Sequence, residues 1–134
     1  MKNIKSIAGV ALLAMMATTS HAAKSVTVGE LQGFTGPLES MIGAMSGGAN
    51  LAVTEANASG KFLQGTINVV QGDSVCIDPA VAIAQAEKMV NEDNVMAIMG
   101  PNCSGNTIAV IEGVIVPNGI VSISPSATSP AIDA

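Results

Sequence analysis

Apolar and polar positions along this chain follow two periods in turn. Ser25-Val26-Thr27-Val28-Gly29-Glu30-Leu31 alternates and predicts a first strand, with Val26, Val28 and Leu31 as its apolar positions. Gln32 to Gly36 is a loop, and Pro37 suits the first turn of a helix. From there Leu38, Ile42, Met45, Ala49, Val53 and Ala56 recur at helical spacing, and Asn57 to Gly60 ends the helix. Gly43, Gly47 and Gly48 weaken that helix locally and are expected to allow close packing on a sheet. Thr66–Val70 predicts a second strand, and Gln71 to Asp78 a loop. Asp78-Pro79 is a strong helix start, a capping carboxylate before a proline. Ala82, Ile83, Ala86, Met89 and Val90 form the inner face of that helix, and Asn91 to Asn94 closes it. Val95–Met99 is an apolar third strand broken by Gly100-Pro101. A third helix is expected from about Gly105, although its many β-branched residues would suit a strand. Its place between two strands and the stop at Pro117-Asn118-Gly119 favour the helix. Ile120–Ile123 is a fourth strand, left through Ser124–Pro130.

The order is therefore β-α-β-α-β-α-β. It predicts an α/β fold: a parallel sheet with helices on both faces and right-handed crossovers. In such sheets ligands bind outside the carboxyl ends of the strands. Four loops lie at that end: Gln32–Pro37, Gln71–Asp78, Pro101–Ser104 and Ser124–Pro130. A chain that builds one edge of a cleft and stops a few residues later is expected to be the first part of a larger protein.

The N-terminus stands apart. Lys2 and Lys5 precede an apolar run from Ile7 to Ala17, and small polar residues lead to Ser20 and Ala22 at the −3 and −1 positions of a cleavage site. Residues 1–22 are expected to be a signal peptide, removed after about Ala22, which implies an exported, periplasmic protein. The run is about half the ~20 residues that a membrane span requires. Residues 23–134 would then form one domain.

Charge and composition remove several function classes. After the leader, Lys24, Lys61 and Lys88 stand against ten Asp and Glu, with no Arg in the chain. Nucleic acid is not an expected partner, because nothing offers a basic face. The only histidine, His21, falls in the leader, so the mature chain lacks imidazole for nucleophile pairs or zinc. No cofactor or metal is expected. Cys76 and Cys103 read first as a disulfide in an exported chain, and otherwise as reactive thiols.

Gly100-Pro101-Asn102-Cys103-Ser104-Gly105-Asn106-Thr107 has the spacing of a phosphate loop, but Asn106 replaces the lysine that meets the phosphates. A nucleophilic Cys103 or Ser104 would lack a histidine base. What remains is carboxylate binding by hydroxyls and amides. Ser104, at or near a helix N-cap, offers its N–H and hydroxyl, with Ser126 and Thr128 approaching from the next loop. For any one of these residues, capping a helix or turn is the simpler explanation.

Four blocks in order carry a resemblance: Gly29–Leu38 (GELQGFTGPL), Cys76–Ala82 (CIDPAVA), Gly100–Gly105 (GPNCSG) and Ile123–Pro130 (ISPSATSP). They resemble periplasmic branched-chain amino-acid-binding proteins of the leucine-binding-protein type, the substrate-binding subunits of ABC transporters. The resemblance implies an incomplete two-lobe fold of which residues 23–134 are the N-terminal lobe, with strand order 2-1-3-4-5. It implies that Cys76 and Cys103 form a disulfide between two loops that lean over the end of the first strand. It places Ser104 and Thr128 on the ligand α-carboxylate, the Ser126 carbonyl and Thr128 hydroxyl toward the ammonium, and Met41 over the ligand side chain. Asn102 and Thr35 complete the expected ligand-binding set. The implied partners are an amino acid, of branched-chain type or a related small amino acid, amide or carboxylate, and, through the whole two-lobe protein, a membrane permease. The alternative is an extracytoplasmic ligand-sensing domain, and the rival class an enzyme using Cys103 or Ser104.

Overall fold

The computed structural model describes residues 25–62 and 65–133, so the expected leader, residues 1–22, lies outside the described residues. Strand β1 (Val26–Gln32) leads through a loop to α1 (Glu39–Ala58), β2 (Ile67–Asp73), α2 (Pro79–Asn91) and β3 (Ala97–Met99). Then α3 (Ser104–Val110), a π-helical turn (Ile111–Ile115) and α4 (Val116–Asn118) run on without a break. Strand β4 (Val121–Ile123) and a 3-10 turn (Pro130–Ile132) follow. The four strands form one parallel sheet in the order β2-β1-β3-β4, as the resemblance implied.

One face of the sheet carries the main core. Leu31, Ile98, Val95, Ala82, Ala86, Met89, Val110, Val114 and Ile115 are buried together between the strands, α2 and the α3 segment. The sheet meets α2 closely because two of its residues have no side chain. A Cβ at Gly29 would stand 2.8 Å from Met89 Sδ, and one at Gly72 2.8 Å from Met89 Cε. At the end of β3, Gly100 has φ +121°, and a Cβ there would overlap the Leu31 carbonyl. Only glycine fits that crossing.

The other face is divided. Strand register puts Gln71, Glu30, Met99 and Ile123 in one row across the sheet, and Val69, Val28, Ala97 and Val121 in the row before it. Over β2 and β1 lies α1, through a polar contact. Buried Glu30 accepts from Gln32 Nε2 at 2.6 Å and Gln71 Nε2 at 2.8 Å, and Gln71 Nε2 also reaches Ser46 Oγ of α1 at 3.2 Å. Over β3 and β4 the same face is an apolar hollow of about 360 Å³ lined by Val28, Ala97, Met99, Val121 and Ile123.

Three expectations need correction. Strand β2 runs to Asp73 rather than stopping at Val70, because its polar Gln71 and Gly72 continue the ladder to β1. The glycines of α1 do not serve close packing: a Cβ at Gly43, Gly47 or Gly48 would meet nothing within 4 Å. Pro37 lies outside the first helical turn, since α1 begins at Glu39 with Leu38 as its N-cap; the third helix ends where expected, at Gly119 with φ +63°.

Candidate functional site

The carboxyl ends of the strands bring four loops together, and each is tied to its neighbours. The β2–α2 loop is held in an uncommon backbone form: Val75 and Cys76 have φ +48° and +67°. A left-handed β-branched residue costs about 1–3 kcal/mol and persists only where its surroundings fix it. Here the Val75 N–H donates to Asp73 Oδ1 at 2.9 Å and the Cys76 N–H to the Ser74 carbonyl at 2.6 Å. Cys76 is bonded to Cys103 in the β3–α3 loop, with Cα atoms 5.5 Å apart. This pairing agrees with the one the resemblance implied, and it leaves Cys103 no thiol for nucleophilic chemistry.

The bridge passes over the end of β1. A Cβ on Gly33 would lie 3.0 Å from Cys76 Sγ, and one on Gly36, itself at φ +96°, would lie 2.6 Å from the Val75 carbonyl oxygen. The Gly33 N–H donates to Asn102 Oδ1 at 2.9 Å. Asn102 is buried, and its Nδ2 has no partner among the described residues. Beneath it, buried Asn106 donates through Nδ2 to the Ser74 carbonyl at 2.7 Å, and Thr107 donates to the Pro101 and Cys103 carbonyls, both at 3.0 Å.

The β4 loop closes the set from the other side. Ser124 Oγ donates to the Pro101 carbonyl at 2.5 Å, and Ser126 Oγ to the Asn102 carbonyl at 2.7 Å. Ser104 is the first residue of α3, with Cys103 as the N-cap. Its Oγ accepts the N–H groups of Thr128 at 3.1 Å and Ser129 at 3.2 Å. That leaves its own O–H available as a donor. Thus Ser104, Ser126, Thr128 and Asn102 are brought together where the β3–α3 and β4 loops meet.

Thr35 and Met41 stand on the opposite rim. Both are exposed. Thr35 is engaged by Asp73: its N–H donates to Oδ1 at 3.3 Å and its hydroxyl to Oδ2 at 2.6 Å. Burial by itself raises the Asp73 pKa. The Thr35 hydroxyl and the N–H groups of Val75, Thr35 and Phe34 outweigh it and hold the carboxyl below its usual 3.8. Asp73 has no role in the sequence-based site; its signal was an acid at the end of an apolar strand, facing the loop with Thr35.

No lysine among the described residues serves this end. Lys61 follows the C-terminus of α1, and Lys88 lies in the last turn of α2, paired with Asp93 at 2.8 Å. Both are at the far end of the sheet. An anion at the loops would have neutral donors alone among the described residues. Nor do three His, Cys, Asp or Glu side chains gather there to hold a metal ion.

A family model described as periplasmic binding protein matches residues 25–134. This chain belongs to the periplasmic binding protein family. It is similar to an amino acid binding protein of Pseudomonas aeruginosa, 32% identical over 128 residues, which cover 96% of this chain and 34% of the relative. It is also similar to the Leu/Ile/Val-binding protein of Escherichia coli, 34% identical over 105 residues, 70% of this chain and 28% of that one. Among solved structures, the branched-chain amino acid transporter substrate binding protein LivJ of Streptococcus pneumoniae, in complex with isoleucine, superposes with a TM-score of 0.75. It is 33% identical, over 81% of this chain and 31% of LivJ. A solute binding protein from R. palustris, in complex with 4-hydroxybenzoate, shares the fold at a TM-score of 0.71 and 23% identity. This periplasmic binding protein chain spans about a third of the length of these relatives.

Proposed function

We propose that this chain is the N-terminal lobe of an extracytoplasmic solute-binding protein of an ABC importer, and that it holds an amino acid of branched-chain type or a related small ligand. One observation carries the reading: Ser104 Oγ accepts two N–H groups of the β4 loop, which seats Thr128 beside it. The likeness to LivJ, in complex with isoleucine, supports the ligand class.

In this reading the Ser104 hydroxyl and N–H, with Thr128, take the ligand carboxylate. The Ser126 carbonyl and the Thr128 hydroxyl face the ammonium. Met41 lies over the ligand side chain and adapts its shape to it, and Thr35 and Asn102 border the site. Neutral donors hold a carboxylate well when they are fixed in advance and water is excluded. Exclusion requires a second lobe, which would close on a hinge and present the loaded protein to a membrane permease. Export follows from a leader at residues 1–22. With Cys103 in a disulfide and no histidine after the leader, catalysis has no nucleophile–base pair to work with.

The test is a thermal-shift panel of L-leucine, L-isoleucine, L-valine, small amides and 4-hydroxybenzoate, applied to this chain and to its full-length gene product. An aliphatic amino acid is expected to give the largest shift, reduced by Thr128→Ala. A larger shift by the benzoate, or none by any compound, would overturn the reading.

A further inference from the structure

The loop between β1 and α1 is pinned at one residue by a group with no assigned role. We propose that Asp73 is a positioning residue of the ligand site: its carboxylate ties the β1–α1 loop to the β2–α2 loop and so fixes the start of α1 over the cleft. The inference rests on the solute-binding reading above.

Three hydrogen bonds converge on this carboxylate. Thr35 supplies its N–H and hydroxyl, and Val75 supplies its N–H. The two donors belong to different loops. Each loop leans on the other through backbone as well, since Gly36 packs under the Val75 carbonyl with no room for a side chain. The β2–α2 loop does not keep this form by local preference, since Val75 and Cys76 are left-handed. The disulfide anchors the β2–α2 loop to α3, and the Gly33–Asn102 bond anchors only the first residue of the β1–α1 loop. Asp73 is what holds its far end.

That end controls α1. The Glu39 N–H donates to the Gly36 carbonyl at 3.2 Å, and the Met41 N–H to the Leu38 carbonyl at 2.9 Å. The first turn therefore begins from Gly36, one residue beyond the Asp73-bound Thr35. Elsewhere α1 meets the sheet through its buried Ile42 and Ser46, and at its far end Asn57 exchanges two hydrogen bonds with the Ile67 backbone, at 2.8 and 3.0 Å, which leaves the first turn to be fixed from the loop. A released Thr35 would let Met41 move relative to Ser104 and Thr128. Reacting and recognising groups tolerate little displacement, so the effect falls on affinity before it falls on the fold.

A double-mutant cycle tests this on the whole chain, titrated with L-isoleucine and read by NMR of backbone amides and the Met41 methyl. The variants are Thr35→Ser, Thr35→Val, Asp73→Asn and the pair Thr35→Val with Asp73→Asn. Thr35→Ser keeps the hydroxyl and is expected to bind within about twofold of the wild type. Thr35→Val and Asp73→Asn should each weaken binding about tenfold, shift the Met41 methyl signal, and combine to no more than Asp73→Asn alone. Losses that multiply in the double variant would overturn the proposal, as would wild-type affinity in Asp73→Asn. If Asp73→Asn does not fold, the Met41 methyl signal of the ligand-free protein decides: it shifts in Thr35→Val and not in Thr35→Ser, and an unshifted signal in both overturns the proposal. L-isoleucine binding to the wild type and all variants alike removes the positioning role and keeps the solute reading. No binding to the wild type removes both.

Discussion

At the scale of single residues, Asp73 makes a prediction about pH. Its folded pKa is depressed, so its contribution to stability is complete above the unfolded value near 3.8 and is lost as pH falls through the lower folded value. Acid unfolding of Thr35→Val should therefore begin at higher pH than that of the wild type, followed by circular dichroism. Equal acid midpoints would contradict the hydrogen-bond account. Two glycines predict opposite signs. Gly47→Ala in α1 meets open space and should stabilise by about 0.5–1 kcal/mol. Gly29→Ala drives a methyl into Met89 and should destabilise by about 1–3 kcal/mol; urea titrations of both variants check the contrast. The sequence could not sort these glycines, because a helical or strand pattern does not say which face the bare Cα turns toward. It also hid Glu30, Gln32 and Ser46. They are polar and buried, and a hydrophobic pattern assigns such residues to the surface.

At the scale of elements, periodicity was a sound guide wherever a residue's polarity matched its burial. Pro79–Asn91 and the register of Ile42, Met45, Ala49, Val53 and Ala56 follow that rule. The end of β2 breaks it. Gln71 pairs with Glu30 and Asp73 with Gln32, so a strand continues through residues whose composition reads as loop. The β-branched third helix was legible only from its position between two strands, and its π-helical turn at Ile111–Ile115 has no sign in the sequence. Of the site, Ser104, Ser126 and Thr128 were legible as a convergent set because they sit in loops that a parallel sheet must bring to one end. Asp73 was not, since it bonds Thr35, 38 residues away on the β1–α1 loop, and the Val75 N–H, and no spacing in the sequence links these groups. The disulfide belongs to this scale. It closes a loop of 27 residues, and removing it as Cys76→Ser with Cys103→Ser should cost about 3–4 kcal/mol. Thermal melts should show the loss; unchanged melting would mean the left-handed turn at Val75 is held without it.

At the scale of the whole molecule, the chain spans about a third of its relatives' length. Among the described residues, half of one sheet face, over β3 and β4, is an apolar hollow, while the loops at the strand ends are cross-tied. The site is thus cross-tied where it would meet a ligand. The central claim is that Ser104 and Thr128 hold the ligand's carboxylate. An NMR titration of this chain with L-isoleucine, beside one with its carboxamide, tests it most directly. The account predicts the largest shifts at the amides of Ser104, Gly105 and Thr128, about tenfold weaker binding by Ser104→Ala, and little response to the carboxamide. Equal binding of the two compounds, or undiminished binding by Ser104→Ala, would contradict it.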